Sequence, residues 1–151
     1  MITFDDSLWP LLTVKYGGAN SLQEFDLYIA QMRAYLERGE KYVCLLDSRT
    51  ATSAPTMEQR QRMVNWIHRD EVRLRQWMVG CVFVITSPFT RLALNIMTQL
   101  KPMPSPYTTV GDLQVARAWA AERFRAVGIE HPALHRGSLG VAIASASSRR
   151  A

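Results

Sequence analysis

Cysteine is scarce in this chain and long apolar runs are missing. The 151 residues include two cysteines, too few for the disulfide scaffolds that small secreted domains use in place of a large core. No apolar stretch approaches the roughly 20 residues needed to span a bilayer as a helix. The first six residues, MITFDD, are acidic where a secretion signal would be basic and then apolar. A phosphate loop, a dinucleotide fingerprint and a nucleophile elbow are all missing. The three histidines, His68, His131 and His135, do not stand at metal-ligand spacing. These absences lead us to expect a soluble, cytoplasmic chain with no metal, no cofactor and no enzymatic activity.

What is present is an ordinary globular composition, 48% hydrophobic and 21% charged, which excludes a wholly disordered chain. The length suits one domain with a core of its own. A net charge of +5 favours acidic partners slightly. The arginines are scattered, however, and no nucleic-acid motif or aromatic interleaving accompanies them, so nucleic acid is not the expected partner.

The hydrophobic pattern reads as strands alternating with helices. Residues 2–4 and 11–16 alternate as two short strands, with Asp5, Asp6 and Ser7 as a turn and Pro10 at the start of the second strand. Ser21 and Glu24 form a capping box ahead of a helix whose apolar face carries Phe25, Ile29, Met32 and Leu36, and Gly39 ends it. Residues 42–46 form a continuous apolar run, as in a central strand covered on both faces, and Asp47 follows it. Thr56 and Gln59 make a second capping box, opening one long helix to about Trp77. Residues 79–86 are a second buried strand. Ser87 and Pro88 start a largely apolar helix that runs to Leu100. A proline-rich connector leads to a last strand at 107–110, then to a helix capped by Asp112 and stopped by Gly128. The expected fold is α/β, a mostly parallel sheet of four to five strands with helices packed on it. The domain spans residues 1–128, and residues 129–151 read as a flexible tail. Cys44 and Cys81 lie within the two buried strands, as small hydrophobes in preference to a disulfide or a metal pair.

The order of elements over roughly residues 2–128 resembles the STAS family, the domain of anti-sigma-factor antagonists. The resemblance rests on the paired opening strands, the strand 42–46 with its terminal Asp47, and the segment Gly80-Cys81-Val82-Phe83-Val84 followed by the helix from Pro88. It also rests on the proline-rich link into Tyr107 and on residues 112–119. It implies a STAS-like fold, protein partners, no metal and no catalysis. The family's antagonists carry Asp-Ser-(Ser/Thr)-Gly at the start of the helix after the central strand, where the serine is a phosphorylation switch. Here that stretch reads Thr56-Met57-Glu58-Gln59, so control by such a switch does not carry over.

Two candidate sites follow. On the second helix, Arg62, Arg69 and Arg73 fall in one stripe at about 100° per residue, with Trp66 at its flank. A tryptophan among arginines has the composition of a protein-interface anchor, while a tryptophan wrapping its own core edge is the competing reading. For the stripe itself a solvated helix face is the competing reading, and amphipathicity alone predicts it. The leading functional expectation is a non-enzymatic regulatory or scaffolding module acting on a protein partner or a second copy of itself. The alternative places a small-molecule site, binding or enzymatic, at the carboxyl ends of the strands, where open α/β sheets gather ligands. Its residues would be Asp47, Ser48, Arg49 and Ser87. A phosphoreceiver built on Asp47 fails, because the last strand offers Thr109 and Val110 where a lysine is required. Only the small-molecule alternative needs a concave pocket above the strand ends, which makes the pocket the discriminating observation.

Overall fold

In a computed structural model of the chain, which describes residues 1–131, five strands form one sheet in the order β1-β2-β3-β4-β5. Strands β1 (Ile2–Leu8) and β2 (Leu11–Gly18) make an antiparallel hairpin. Strands β3 (Tyr42–Ala51), β4 (Met78–Val84) and β5 (Tyr107–Val110) then add in parallel. The expected architecture is therefore present, with five strands and one antiparallel edge.

Alternation along the central strands sends side chains to two separate cores. Tyr42, Cys44 and Leu46 of β3, with Cys81 of β4, face one cluster. It is covered by α1 (Leu22–Glu37), α2 (Met57–Arg69), α3 (Glu71–Trp77) and α4 (Pro88–Leu100). Val43, Leu45, Val82 and Val84 face the other, under α5 (Leu113–Ala126) alone. Each of the Leu and Val side chains among them, fully buried, contributes about 1.5–3 kcal/mol. Glycine is needed where α5 comes closest to the sheet. A Cβ on Gly80 would lie 2.9 Å from Arg123 Cγ and 3.1 Å from the Trp119 ring.

Local signals set most helix boundaries. Both capping boxes form, Ser21 with Glu24 and Thr56 with Gln59. Ser87 and Asp112 accept from the backbone N–H groups of Thr90 and Val115, and Gly39 and Gly128 take the left-handed conformation.

Four expectations need correction. The opening turn is not at residues 5–7. Ser7 N–H donates to Asp5 Oδ1 within an irregular stretch of β1, and the chain reverses at the cis Trp9–Pro10 bond. The long helix from Thr56 to Trp77 is two helices, broken at Asp70, whose carboxylate turns inward. The apolar spacing continues across the break, so the pattern alone concealed it. Third, the central strand does not end at Asp47 but runs on to Ala51; beyond it α4, apolar as expected, buries only Ala93 and Leu94, while Phe89, Leu92 and Leu100 face solvent. Finally, the body does not end at residue 128. Ile129 packs on the α5-side core, and buried His131 places Nε2 2.8 Å from the carbonyl oxygen of Trp9. The rest of the expected tail, 132–151, lies outside the described residues. No helix among the described residues is long and apolar enough to cross a membrane.

Candidate functional site

The second-helix surface does not assemble as an anchor ringed by arginines. Trp66 is 4% exposed and belongs to the core beneath α2. Its indole N–H donates to Asp70 Oδ2 at 3.0 Å, and Arg33 Nε of α1 donates to the same oxygen at 2.9 Å. A residue so enclosed cannot reach a partner, so the expectation of an interface anchor at Trp66 is overturned. Arg62 is engaged as well, in ion pairs with Asp26 of α1 and Glu58 of its own helix. Arg69 and Arg73 are exposed but lie on either side of the break at Asp70. The stripe drawn on one continuous helix is therefore interrupted.

The residues proposed at the strand ends divide between the two faces of the sheet. Asp47 continues the row of Val43 and Leu45, toward α5. There its carboxylate accepts from Arg49 Nε at 3.0 Å, Arg49 Nη2 at 3.0 Å and the Arg49 backbone N–H at 3.1 Å. Burial raises the Asp47 carboxyl, but the hydrogen bonds from Arg49 and the charges of Arg49 and Lys15 outweigh it. The result lies below the ordinary carboxylate value. Asp47 and Arg49 thus form a closed pair that braces the second half of β3. Ser48 points the other way, and its hydroxyl donates to the carbonyl of Val84 at 2.9 Å. Ser87 serves as the α4 cap. The four residues are not one site.

Ser48 nevertheless opens onto a cavity. It lies above the carboxyl ends of β2, β3 and β4, between the loop before α1, the first turns of α2, and α4. The space free of protein atoms is about 720 Å³, its solvent-open mouth included. The floor is Leu46 and Phe83, and the walls include Phe25, Met63, Leu94 and Met97. A second space of about 490 Å³, again counting its solvent-open part, lies further along the same helix–sheet interface. It shares Leu46, Met63, Phe83, Leu94 and Met97 with the first. The shared wall includes two methionines, the side chains most able to adjust to a guest.

Polar groups sit at one end of the cavity. Gln59, buried, uses both ends of its amide: Oε1 accepts from the Thr56 backbone N–H at 3.0 Å, and Nε2 donates to the Asn20 carbonyl at 2.9 Å. The capping box of α2 thereby ties that helix to the loop before α1. Asn20, Ser53 and Thr90 complete the polar lining with Ser48. Tyr16 also lines the space. Burial pushes its phenol well above the ordinary value, so it stays protonated. No Asp, Glu, His, Lys or Arg is among the described lining residues. Nor do the described residues include a cluster of three or more metal-ligating side chains.

Of the cavity residues, sequence reasoning found Ser48 and missed Asn20, Phe83, Thr90 and Met97 as site residues. Gln59 had a visible signal, its capping box, but that signal points to helix start and not to a cavity wall. Asn20, in the short loop between β2 and α1, carries no such signal.

No family model and no curated protein sequence matches the chain. Its structure is similar to the crystal structure of an uncharacterized protein of the DUF3478 family with a SpoIIAA-like fold, from Shewanella loihica PV-4. The TM-score is 0.58 at 11% sequence identity, over 80% of this chain and 92% of that one. At that identity the likeness speaks to architecture, and the chain has a SpoIIAA-like, that is STAS-like, fold.

Proposed function

We propose that the protein is a non-enzymatic STAS-like binding module that takes a small, largely apolar molecule into the cavity between the sheet, α2 and α4. The observation carrying this reading is the concave, apolar space at the carboxyl ends of the parallel strands, where open α/β sheets bind ligands. A lining with no carboxylate, imidazole or amine supports binding over acid–base chemistry. The test is titration with the neutral fluorophore N-phenyl-1-naphthylamine. A saturable signal of one site per chain is expected, and Met97→Trp, which fills the shared wall, should weaken it by about tenfold or more. Absence of saturable binding to the native protein rejects the proposal.

A second reading, self-association, now has its support on α4 instead of at Trp66. Phe89 is 76% exposed, Leu92 57% and Leu100 64%, and solvent-facing apolar groups on one helix are the raw material of a two-fold contact. Sedimentation of the native protein beside Leu92→Glu tests it. A monomer at all concentrations would reject it.

A further inference from the structure

The two spaces beneath α4 have one floor and one roof. The floor is Leu46 of β3 and Phe83 of β4, register partners on adjacent strands, which line both spaces. The roof is a single face of α4. Thr90, Leu94 and Met97 line the first space, and Leu94, Met97 and the cap residue Lys101 line the second. These four positions follow one another at three- and four-residue steps, which places them in one stripe along the helix. The second space therefore continues the first in the direction of the α4 axis.

All the residues common to the two spaces are apolar, and the methionines among them, Met63 and Met97, adjust their side chains at little cost. A compact guest covers one space and leaves the other unfilled. A linear chain buries apolar surface in both, and the gain grows with the area removed from water. From Thr90 to Lys101 a helix advances about 16 Å. An extended chain covers about 1.2 Å per bond, so about a dozen carbons match the distance.

We infer that the guest carries an unbranched alkyl chain of about ten to twelve carbons, laid along α4 through both spaces. Its polar end remains in water at a mouth of the slot, because burying it without a partner is costly. The inference rests on the first space being a binding site, and it adds the shape of what is bound.

The experiment titrates 1-hexanol, 1-octanol and 1-decanol into the full-length protein and follows side-chain methyl NMR signals. Ile85 lines the first space alone and Leu74 the second alone. Affinity for the native protein should rise about fourfold with each added methylene. 1-Decanol should shift the Ile85 and Leu74 methyls together, with one midpoint. Thr98→Phe and Met103→Phe each place a ring at the second space, from α4 and from the connector after it. Both variants should bind 1-hexanol as the native protein does, which also shows the first space to be intact, and should bind 1-decanol about tenfold or more weakly. The slot is overturned, and the first space left standing, if 1-decanol never shifts Leu74 or binds both variants as tightly as the native protein. Equal losses of 1-hexanol and 1-decanol in both variants would overturn it as well, since the second space would then not act as a separate length. If no alkanol binds the native protein saturably, the cavity is no binding site and both readings fall.

Discussion

Trp66 and Asp70 are joined by an indole-to-carboxylate hydrogen bond of 3.0 Å, buried, across the end of α2. The same carboxylate holds Arg33 of α1, so one aspartate ends a helix, satisfies a core tryptophan and ties two helices together. Replacing Trp66 by Ala should cost about 3–5 kcal/mol, as for other large-to-small core changes. Asp70→Ala, which strands the indole N–H, should cost about 1–3 kcal/mol. Arg73→Ala, at an exposed position, should shift stability by less than about 0.5 kcal/mol. Urea unfolding of the three variants checks the order. A Trp66→Ala protein as stable as the parent would contradict the buried packing.

Cys44 and Cys81 are register partners on adjacent parallel strands and are both buried free thiols. The Cys44 thiol is pushed well above its ordinary value by its hydrogen bond to Cys81 and by burial, so its reactive thiolate is scarce. Both cysteines, being buried, should resist a thiol reagent such as DTNB in native buffer and react at once in denaturant. Fast labelling of both in the native state would contradict the placement of β3 and β4 in the sheet centre.

The approach of α5 to the sheet can be tested at Gly80. A methyl group there meets Arg123 Cγ and the Trp119 ring at distances that real Cβ atoms rarely accept. Arg123 is also fixed from the other side, because its Nε donates to the Val79 carbonyl at 2.9 Å. Gly80→Ala should thus destabilise by about 1–3 kcal/mol. Adding Trp119→Leu should return part of that loss, seen as non-additivity in a double-mutant cycle of thermal or urea unfolding. Strict additivity would mean that the ring is not what the methyl group strikes.

The sequence carried the architecture because its signals are local. Capping boxes at Ser21 and Thr56, the proline after Ser87 and the runs at 42–46 and 79–84 each act over a few residues. Alternating them leaves few ways to assemble a sheet. The errors share a cause too. Trp66 and Asp70 lie four apart, a spacing equally suited to a surface pair and a buried one, and the choice depends on Arg33, far away in sequence. Asp47, Ser48 and Arg49 are adjacent in the chain, but strand alternation sends Ser48 to one face and its neighbours to the other. The cavity is harder still to read, since it depends on how far α4 stands from the sheet, and no short motif encodes that distance.

The Asp47–Arg49 pair gives a pH dependence with a definite sign. The Asp47 carboxyl lies below its ordinary value of 3.8 in the folded protein, so folding favours its ionised form. Such a group contributes stability that is fully present above the unfolded value. The contribution fades as pH falls through the folded value and is gone once both states are protonated. Other acids also drive unfolding in this range, including Asp5, which a hydrogen bond from Ser7 likewise depresses, and Glu71, depressed by its hydrogen bond with Lys101. The informative quantity is therefore a difference between proteins. Asp47→Asn keeps the shape and removes the charge, so the stability gap between parent and variant should be constant from about pH 7 to about pH 5 and shrink below about pH 4. Arg49→Gln should show the same narrowing, because without the guanidinium the carboxyl loses its chief stabilising partner. Both effects should be modest, since Arg49 is more than one-third exposed and solvent screens the pair. Urea midpoints measured at half-unit steps from pH 7 to pH 2.5 decide the matter. A gap that stays constant down to pH 2.5 would mean that Asp47 titrates alike in the folded and unfolded chains, and that Arg49 does not hold it.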